Sequence, residues 1–343
     1  MPHRTLSRRL LQMFGNPPPP HELLTAVAAH YGQTPDTLTD LGSFENQVYA
    51  FSAPQGGRVL RLVHSSHRSE RQVRAELHWL TFLAEGGVSV APPVPDAQGE
   101  RLHVWPDGAG GAYFSAAFVR AAGERARPAE LTVPQMRAWG RLLAELHERT
   151  QAYQPEDPRG RPTWQDDPYI RDRHALAAAL SVPLDPGILP RFDALVAELA
   201  AQPATPDRFG LAHNDAHPGN FLLRGEQLTL FDFDDCAHNF YVNDLAMALY
   251  YGVGGAPDRE ALGRHLWANL LAGYREVRPL DEADLALVPA LLKLREVDLY
   301  LLLQSKWDLA RLSEAQQRTL EAYRHNILGD IPYLNFLQAC AAG

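Results

Sequence analysis

An aspartate, an asparagine and a second aspartate fall close together in the run LAHNDAHPGNFLLRGEQLTLFDFD, residues 211–234, at Asp215, Asn220 and Asp232. The apolar triplet Phe221–Leu223 and the stretch Leu228–Phe231 read as two short strands, and Arg224–Gln227, with its glycine, reads as the turn between them. A hairpin centred near Glu226 pairs Phe221 with Phe231 and sets Asn220 opposite Asp232. Residues opposed in this way lie about 5 Å apart at Cα. An amide oxygen and a carboxylate at the open end of a hairpin are hard donors, the kind that hold Mg²⁺ together with substrate phosphates. Asp215 precedes them on a loop whose near neighbours Ala216 and Gly219 are small. It is placed to take a proton from a hydroxyl held near the metal, and the set as a whole is apparatus for phosphoryl transfer.

The elements that must carry these groups follow from the apolar pattern. After the proline run at Pro17–Pro20, His21–His30 reads as a short amphipathic helix closed by Gly32. Thr37–Leu41, Val48–Ser52 and Val59–Val63 read as strands, the first two around the loop Gly42–Gln47. Ser69–Leu83 has helical spacing, with Val73, Leu77, Leu80 and Leu83 on one side. Glu100–Trp105 and Ala112–Val119 read as strands joined by the turn Pro106–Gly111, which precedes a strand and is no phosphate loop. Past Gly123, helical patterns dominate at Val133–Glu148, Ile170–Leu180, Ile188–Ala201, Arg259–Glu276, Asp281–Leu303 and Ser313–Arg324. A β-rich part, residues 1–122, is thus expected before a larger helical part, residues 123–343, with the boundary near Val119–Gly123.

Composition narrows the class. The chain has 343 residues, a formal net charge of −9 and 45% hydrophobic content, as in ordinary globular proteins, and the acidic balance argues against nucleic acid as substrate. No stretch reaches the ~18 apolar residues of a membrane span. Cys236 and Cys340 give no disulfide framework, so a cytoplasmic setting is expected. His213-x-Asp215-x-His217 could be part of a zinc cluster, yet no H-E-x-x-H or H-x-H-x-D-H accompanies it. Both histidines read better as structural props of the loop. Asp244 reads as a helix cap or a brace for that loop.

With the elements in place, five segments resemble the protein-kinase-like superfamily, in particular the aminoglycoside phosphotransferase, choline kinase and homoserine kinase group. His213–Asn220 matches the catalytic-loop spacing H-x-D-x-x-x-x-N, and Asp232–Asp234 stands as D-F-D where protein kinases have D-F-G. Gly42–Tyr49 resembles the group's phosphate loop, Val59–Leu62 its third strand, and Ala75–Leu80 its glutamate-bearing helix. The resemblance spans residues 35–250 and implies a two-lobed α+β protein-kinase-like fold. A small antiparallel-sheet lobe with one main helix would bind the nucleotide, ahead of a larger helical lobe.

Carried over by position, the resemblance makes Asp215 the catalytic base and Asn220 and Asp232 the Mg²⁺ ligands. Arg61 and Glu76 would form the pair beside the phosphates, where the wider superfamily has lysine at the first position; no lysine precedes Lys293 here. Ser43 and Asn46 would contact phosphate, and backbone groups of Val119 and Ala121 would hold the base of ATP or GTP. About ten residues separate Asp232 from the next helix near Asn243, too few for a phosphorylation-controlled activation segment, so the site is expected to be constitutively ordered. The implied activity is a small-molecule kinase acting on a hydroxyl of an amino alcohol, hydroxy amino acid or aminoglycoside. A bacterial Ser/Thr kinase and a nucleotide-binding pseudokinase are the alternatives. The acceptor is expected against the carboxy-terminal helices. There Asp244, Asp298 and Asp308 offer charge for a cation, and Lys293, Arg295 and Lys306 offer charge for a carboxylate. Arg295 and Asp298, three apart on one helix face, could instead neutralise each other.

Overall fold

The computed structural model describes residues 17–42, 46–96 and 98–341. Six antiparallel strands open the fold: β1 (Thr39–Asp40), β2 (Gln47–Ala53), β3 (Gly56–His64), β4 (Pro93–Val94), β5 (His103–Pro106) and β6 (Ala112–Val119). They lie in the order β1-β2-β3-β6-β4, with β5 also on β6. The central strand β3 is covered on both faces, and strand alternation decides what each residue meets. Leu60 and Leu62 pack with Phe51, Ala117 and Val27, the last from helix α1 (His21–His30). On the other face Ala116 and Phe114 pack with Val73 and Leu77 of helix α2 (Glu70–Glu85). Arg61, between the two leucines, therefore points at α2. A capping box at Ser69 and Gln72 starts α2 where the sequence places it.

The chain leaves β6 through Gly123, at φ 119, where a Cβ would come within 2.2 Å of the Leu223 carbonyl oxygen. Only glycine passes that close. The next strand, β7 (Glu124–Arg125), pairs with Leu222 and Leu223, so the connection is laid directly on the segment that carries Asn220.

Helices make up most of the rest: α3 (Val133–Gln151), α4 (Pro168–Arg171), α5 (Arg173–Ala179), α6 (Ile188–Ala200), α7 (Val242–Gly252), α8 (Arg259–Arg275), α9 (Glu282–Leu285), α10 (Val288–Lys306), α11 (Glu314–Leu328) and α12 (Phe336–Ala341). Two expected helices are divided. Ile170–Leu180 breaks at Asp172, and Asp281–Leu303 restarts at Val288, where Pro289 has no N–H for an unbroken ladder. Strands β8 (Phe209–Ala212) and β11 (Ala237–Phe240) form a small ladder not foreseen from the sequence; they are too short for alternation to show. No described helix is long and apolar enough to cross a membrane.

The hairpin of β9 (Phe221–Arg224) and β10 (Gln227–Leu230) is present, but its register differs from expectation. Phe221 pairs with Leu230, not Phe231, because the turn is the two residues Gly225 and Glu226, with Gly225 at φ 66. Asn220 is consequently bonded through its carbonyl to the amide of Phe231, and Asp232 lies one residue beyond the position opposite it.

Candidate active site

The loop between β8 and β9 is fixed from below by one carboxylate. Asp244 sits in the first turn of α7, fully buried, and does not cap that helix. Its Oδ2 accepts the amide of His213 at 2.9 Å and its Oδ1 the amide of Asn214 at 2.7 Å. His147 of α3 also meets Oδ2, at 2.9 Å, while its Nδ1 faces the Tyr274 hydroxyl at 2.9 Å. Burial pushes the His147 imidazole below its usual value, against the pull of Asp244. The ring is therefore neutral, with the proton on Nε2 and the tyrosine donating to Nδ1. Burial alone would raise the Asp244 carboxyl, yet the hydrogen bond and proximity of His147 hold it below the usual carboxylate range.

Asn214 takes φ 65, a left-handed conformation that asparagine tolerates better than most residues. Its Oδ1 accepts from Asn239 at 2.8 Å and Asn243 at 3.1 Å. His213 is a prop, as expected: its Nδ1 accepts the Asp215 amide at 3.2 Å, which leaves Nε2 to donate to the Phe231 carbonyl at 3.0 Å.

Asp215 is brought together with Asn220. The Asn220 amide nitrogen donates to the Asp215 carbonyl at 2.9 Å and to its Oδ2 at 3.0 Å. Both amide hydrogens are thus used, and Asn220 Oδ1 is the end left for a cation. His217 does more than pack. Its Nδ1 accepts the Gly219 amide at 2.9 Å, so Nε2 carries the proton and meets Asp215 Oδ2 at 3.2 Å. The other carboxylate oxygen, Oδ1, is closed off from solvent without a hydrogen-bond partner, 3.8 Å from Arg295. Burial works to raise the Asp215 carboxyl, but His217, Arg295 and His213 together hold it below the ordinary range.

Arg61 and Glu76 form the expected pair, buried and bidentate, at 2.8 and 2.7 Å. Burial would lower the guanidinium, and Glu76 with Asp234 holds it above its usual value. Arg61 Nε has no hydrogen-bond partner, and the outer hydrogens of its two terminal nitrogens remain beyond the Glu76 pair.

Asp234 is buried. It is met by His67 at 2.8 Å and Arg68 at 3.0 Å, with Arg61 at 4.0 Å. Desolvation opposes its ionisation, but Arg68, His67 and Arg61 keep it well below the usual carboxylate range. Arg161, which the sequence does not single out, clamps the same loop by donating to the carbonyls of Cys236 at 2.7 Å and Asp234 at 2.5 Å. Asp232, at φ 62, is exposed on one side although protein crowds it on the others. That crowding, with repulsion from Asp234, Asp235 and Glu76, raises its carboxyl to about 7 against the pull of Arg61. A site with this surplus of negative charge and oxygen donors suits a hard divalent cation.

Asn46 is buried just ahead of β2, whereas Ser43 lies outside the described residues. The Val119 amide is spent on the Pro92 carbonyl at 3.0 Å, so only the carbonyl side of Val119 is left to face a base. Ala121 follows on the connection before Gly123.

Beside Asp215 opens a cleft of about 400 Å³ whose walls include Asp167, Asp235, Asn243, Arg295 and Asp298. Of the three carboxylates expected there, Asp298 lines it, Asp244 is spent on the loop, and Asp308 is exposed in a turn where it accepts the Ala310 amide. Among the expected cations, Lys293 is buried away from the cleft on Glu296 and two backbone carbonyls. Arg295 donates to Asp298 at 2.7 Å and twice to the Tyr251 hydroxyl, so the expected neutralising pair exists. Burial still raises the Asp298 carboxyl to about 7, with Asp167 and Asp235 adding to the rise and Arg295 opposing it; its Oδ1 is buried without a partner.

The mixed α+β fold is kinase-like, and the family and relatives that follow make the chain a phosphotransferase that acts on a hydroxyl. The model of the phosphotransferase enzyme family, APH, matches residues 37–280, and the chain belongs to that family. It is similar to the amicoumacin kinase of Bacillus subtilis (strain 168), 31% identical over 321 residues that span 92% of this chain and 94% of the relative. A solved structure of amicoumacin kinase hAmiN in complex with AMP-PNP, Ca²⁺ and Ami superposes with a TM-score of 0.82 at 30% identity, covering 89% of this chain and 92% of the other. Stress response kinase A of Escherichia coli (strain K12) is 29% identical over 304 residues, 84% of this chain and 83% of the relative. These relatives make the chain a small-molecule kinase of the family at the level of class.

Proposed function

We propose that the protein transfers the γ-phosphoryl group of magnesium-bound ATP to a hydroxyl of a small polar acceptor that carries an amine. The observation that carries this reading is the Asn220 amide on the Asp215 carboxylate at 3.0 Å, which ties a base to a metal-ligand candidate.

Asp215 takes the proton of the acceptor hydroxyl on Oδ2, the oxygen that His217 and Asn220 orient. The hydroxyl oxygen bonds to the γ-phosphorus, the bond to the bridging β,γ-oxygen breaks, and ADP leaves. Asn220 Oδ1 and the Asp232 carboxylate would hold Mg²⁺, which when bound neutralises phosphate charge. Arg61 turns its outer N–H groups to the phosphates while Glu76 fixes its plane, and Asn46 and Ser43 contribute from the loop before β2. The carbonyl of Val119 and the backbone of Ala121 hold the adenine, at the boundary between a nucleotide lobe, residues 1–122, and an acceptor lobe, residues 123–343. Positioning and charge placement supply most of the rate in such chemistry.

An amine is favoured over a carboxylate on the acceptor because Arg295 is already committed to Asp298 and Tyr251, whereas the carboxylates Asp167, Asp235 and Asp298 line the cleft. A cleft of about 400 Å³ also fits a metabolite better than a folded protein substrate. A panel of amino alcohols, hydroxy amino acids and aminoglycosides, each with an uncharged analogue, tests the reading by ADP release and by mass of the product. Turnover confined to amine-bearing alcohols supports it; a preference for the uncharged analogues contradicts it.

A further inference from the structure

We propose that His30, His103 and Asp96 form a binding site for a divalent d-block cation of the Zn²⁺ kind, at the edge of the sheet and outside the cleft. None of the three lines that cleft. Among the described residues they are the one group of three histidine, cysteine or carboxylate side chains whose ligand atoms all lie within 4.8 Å of one another.

The distances discriminate between a ligand set and ordinary hydrogen bonding. His30 Nε2 and His103 Nε2 are 3.0 Å apart, and Asp96 Oδ2 lies 3.6 Å from the first and 3.5 Å from the second. Tetrahedral zinc with bonds of about 2.0–2.1 Å places its ligand atoms about 3.3–3.4 Å from one another. All three edges fall close to that value. Hydrogen bonding explains only the shortest edge, because a carboxylate at 3.5 Å or more from both rings bonds to neither.

Each member is held by its own element. His30 ends α1, which Val27 anchors to the sheet core. His103 begins β5, opposite Ser115, and Trp105 two residues on donates to the Ser115 hydroxyl at 2.9 Å. Asp96 Oδ1 accepts the amides of Gln98 and Glu100, each at 2.8 Å, which turns Oδ2 towards the rings. The side chains remain 28%, 16% and 12% exposed for His30, His103 and Asp96, leaving an open side for entry and for a water as fourth ligand. Two imidazoles and one carboxylate select a borderline cation over Mg²⁺, which prefers all-oxygen octahedral shells. A bound cation would staple the end of α1 to the sheet edge.

The test is Zn²⁺ uptake by the full chain in excess Mg²⁺, read by competition with a chromophoric chelator, and Co²⁺ loading read by its visible absorption. Asp96→Asn keeps the oxygen that bonds Gln98 and Glu100 and replaces the ligand oxygen with an amide nitrogen, so the loop stays intact. Wild type should take up one equivalent more than Asp96→Asn and His103→Ala, or bind it at least ~10-fold more tightly. Zn²⁺ should also raise the unfolding temperature of wild type above its effect on Asp96→Asn. Equal stoichiometry and affinity in wild type and Asp96→Asn would overturn the site, whatever the folding of His103→Ala.

Discussion

His217 holds its protonated Nε2 against Oδ2 of Asp215 at 3.2 Å, with Nδ1 pinned by the Gly219 amide at 2.9 Å. The donor stabilises the ionised carboxylate, and it sits on the oxygen to which the proposed mechanism assigns the acceptor proton.

Removing that donor should move the acid limb of the rate profile. As the proposed base Asp215 works deprotonated, and His217 is among the groups that keep its carboxyl below the ordinary value. His217→Ala should therefore raise the Asp215 pKa and shift the acid limb of kcat/KM to higher pH. His217→Gln, which keeps a donor, should restore part of the shift. An unmoved limb in the alanine variant would show that His217 does not tune the base.

The cleft carboxylate makes a separable prediction. Asp298→Asn should raise KM for an amine-bearing acceptor by about 10-fold, the equivalent of ~1.4 kcal/mol, and leave KM for ATP unchanged. Steady-state kinetics with both substrates varied distinguishes this from general damage, which would move both constants.

The metal-ligand candidates should act on the nucleotide instead. Asn220→Ala and Asp232→Ala should both weaken Mg·ATP binding in calorimetric titration, Asp232→Ala more strongly because it removes formal charge. Wild-type affinity in both would take the two residues out of that role.

Asp244 sets stability and its pH dependence. Asp244→Ala leaves two backbone amides and His147 without their buried acceptor and should cost about 3–5 kcal/mol, measured by urea unfolding. Both Asp244 and His147 have pKa values lowered by folding, from 3.8 and 6.5 respectively. For each, the unfolded chain binds more protons, so stability falls as pH drops: first below the ordinary histidine value, then further in the carboxylate range. Asp244→Asn should flatten the carboxylate part of that dependence.

The sequence exposes the local features of the fold well. His21–His30 is read from its amphipathic pattern and closing Gly32, α2 from its helical spacing, and Arg61 with Glu76 from position along the chain. The hairpin is legible but its register is not: one residue of turn geometry at Gly225 moves Asp232 off the partner position of Asn220. Long-range polar contacts leave no local trace either. Arg161 reaches the carbonyls of Asp234 and Cys236 across more than 70 positions, and Asn239 and Asn243 converge on Asn214 only once β8 and β11 have paired. His217 was readable as a neighbour of Asp215, but its tautomer depends on a backbone amide that only the folded loop places.

The most direct test of the account is Asp215→Asn, assayed for phosphorylation of an acceptor found in the amine panel and, in parallel, for Mg·ATP affinity. Its kcat should fall at least ~10²-fold, the usual scale of a lost general base, with nucleotide binding nearly unchanged. Retention of most of the turnover by Asp215→Asn would contradict the account.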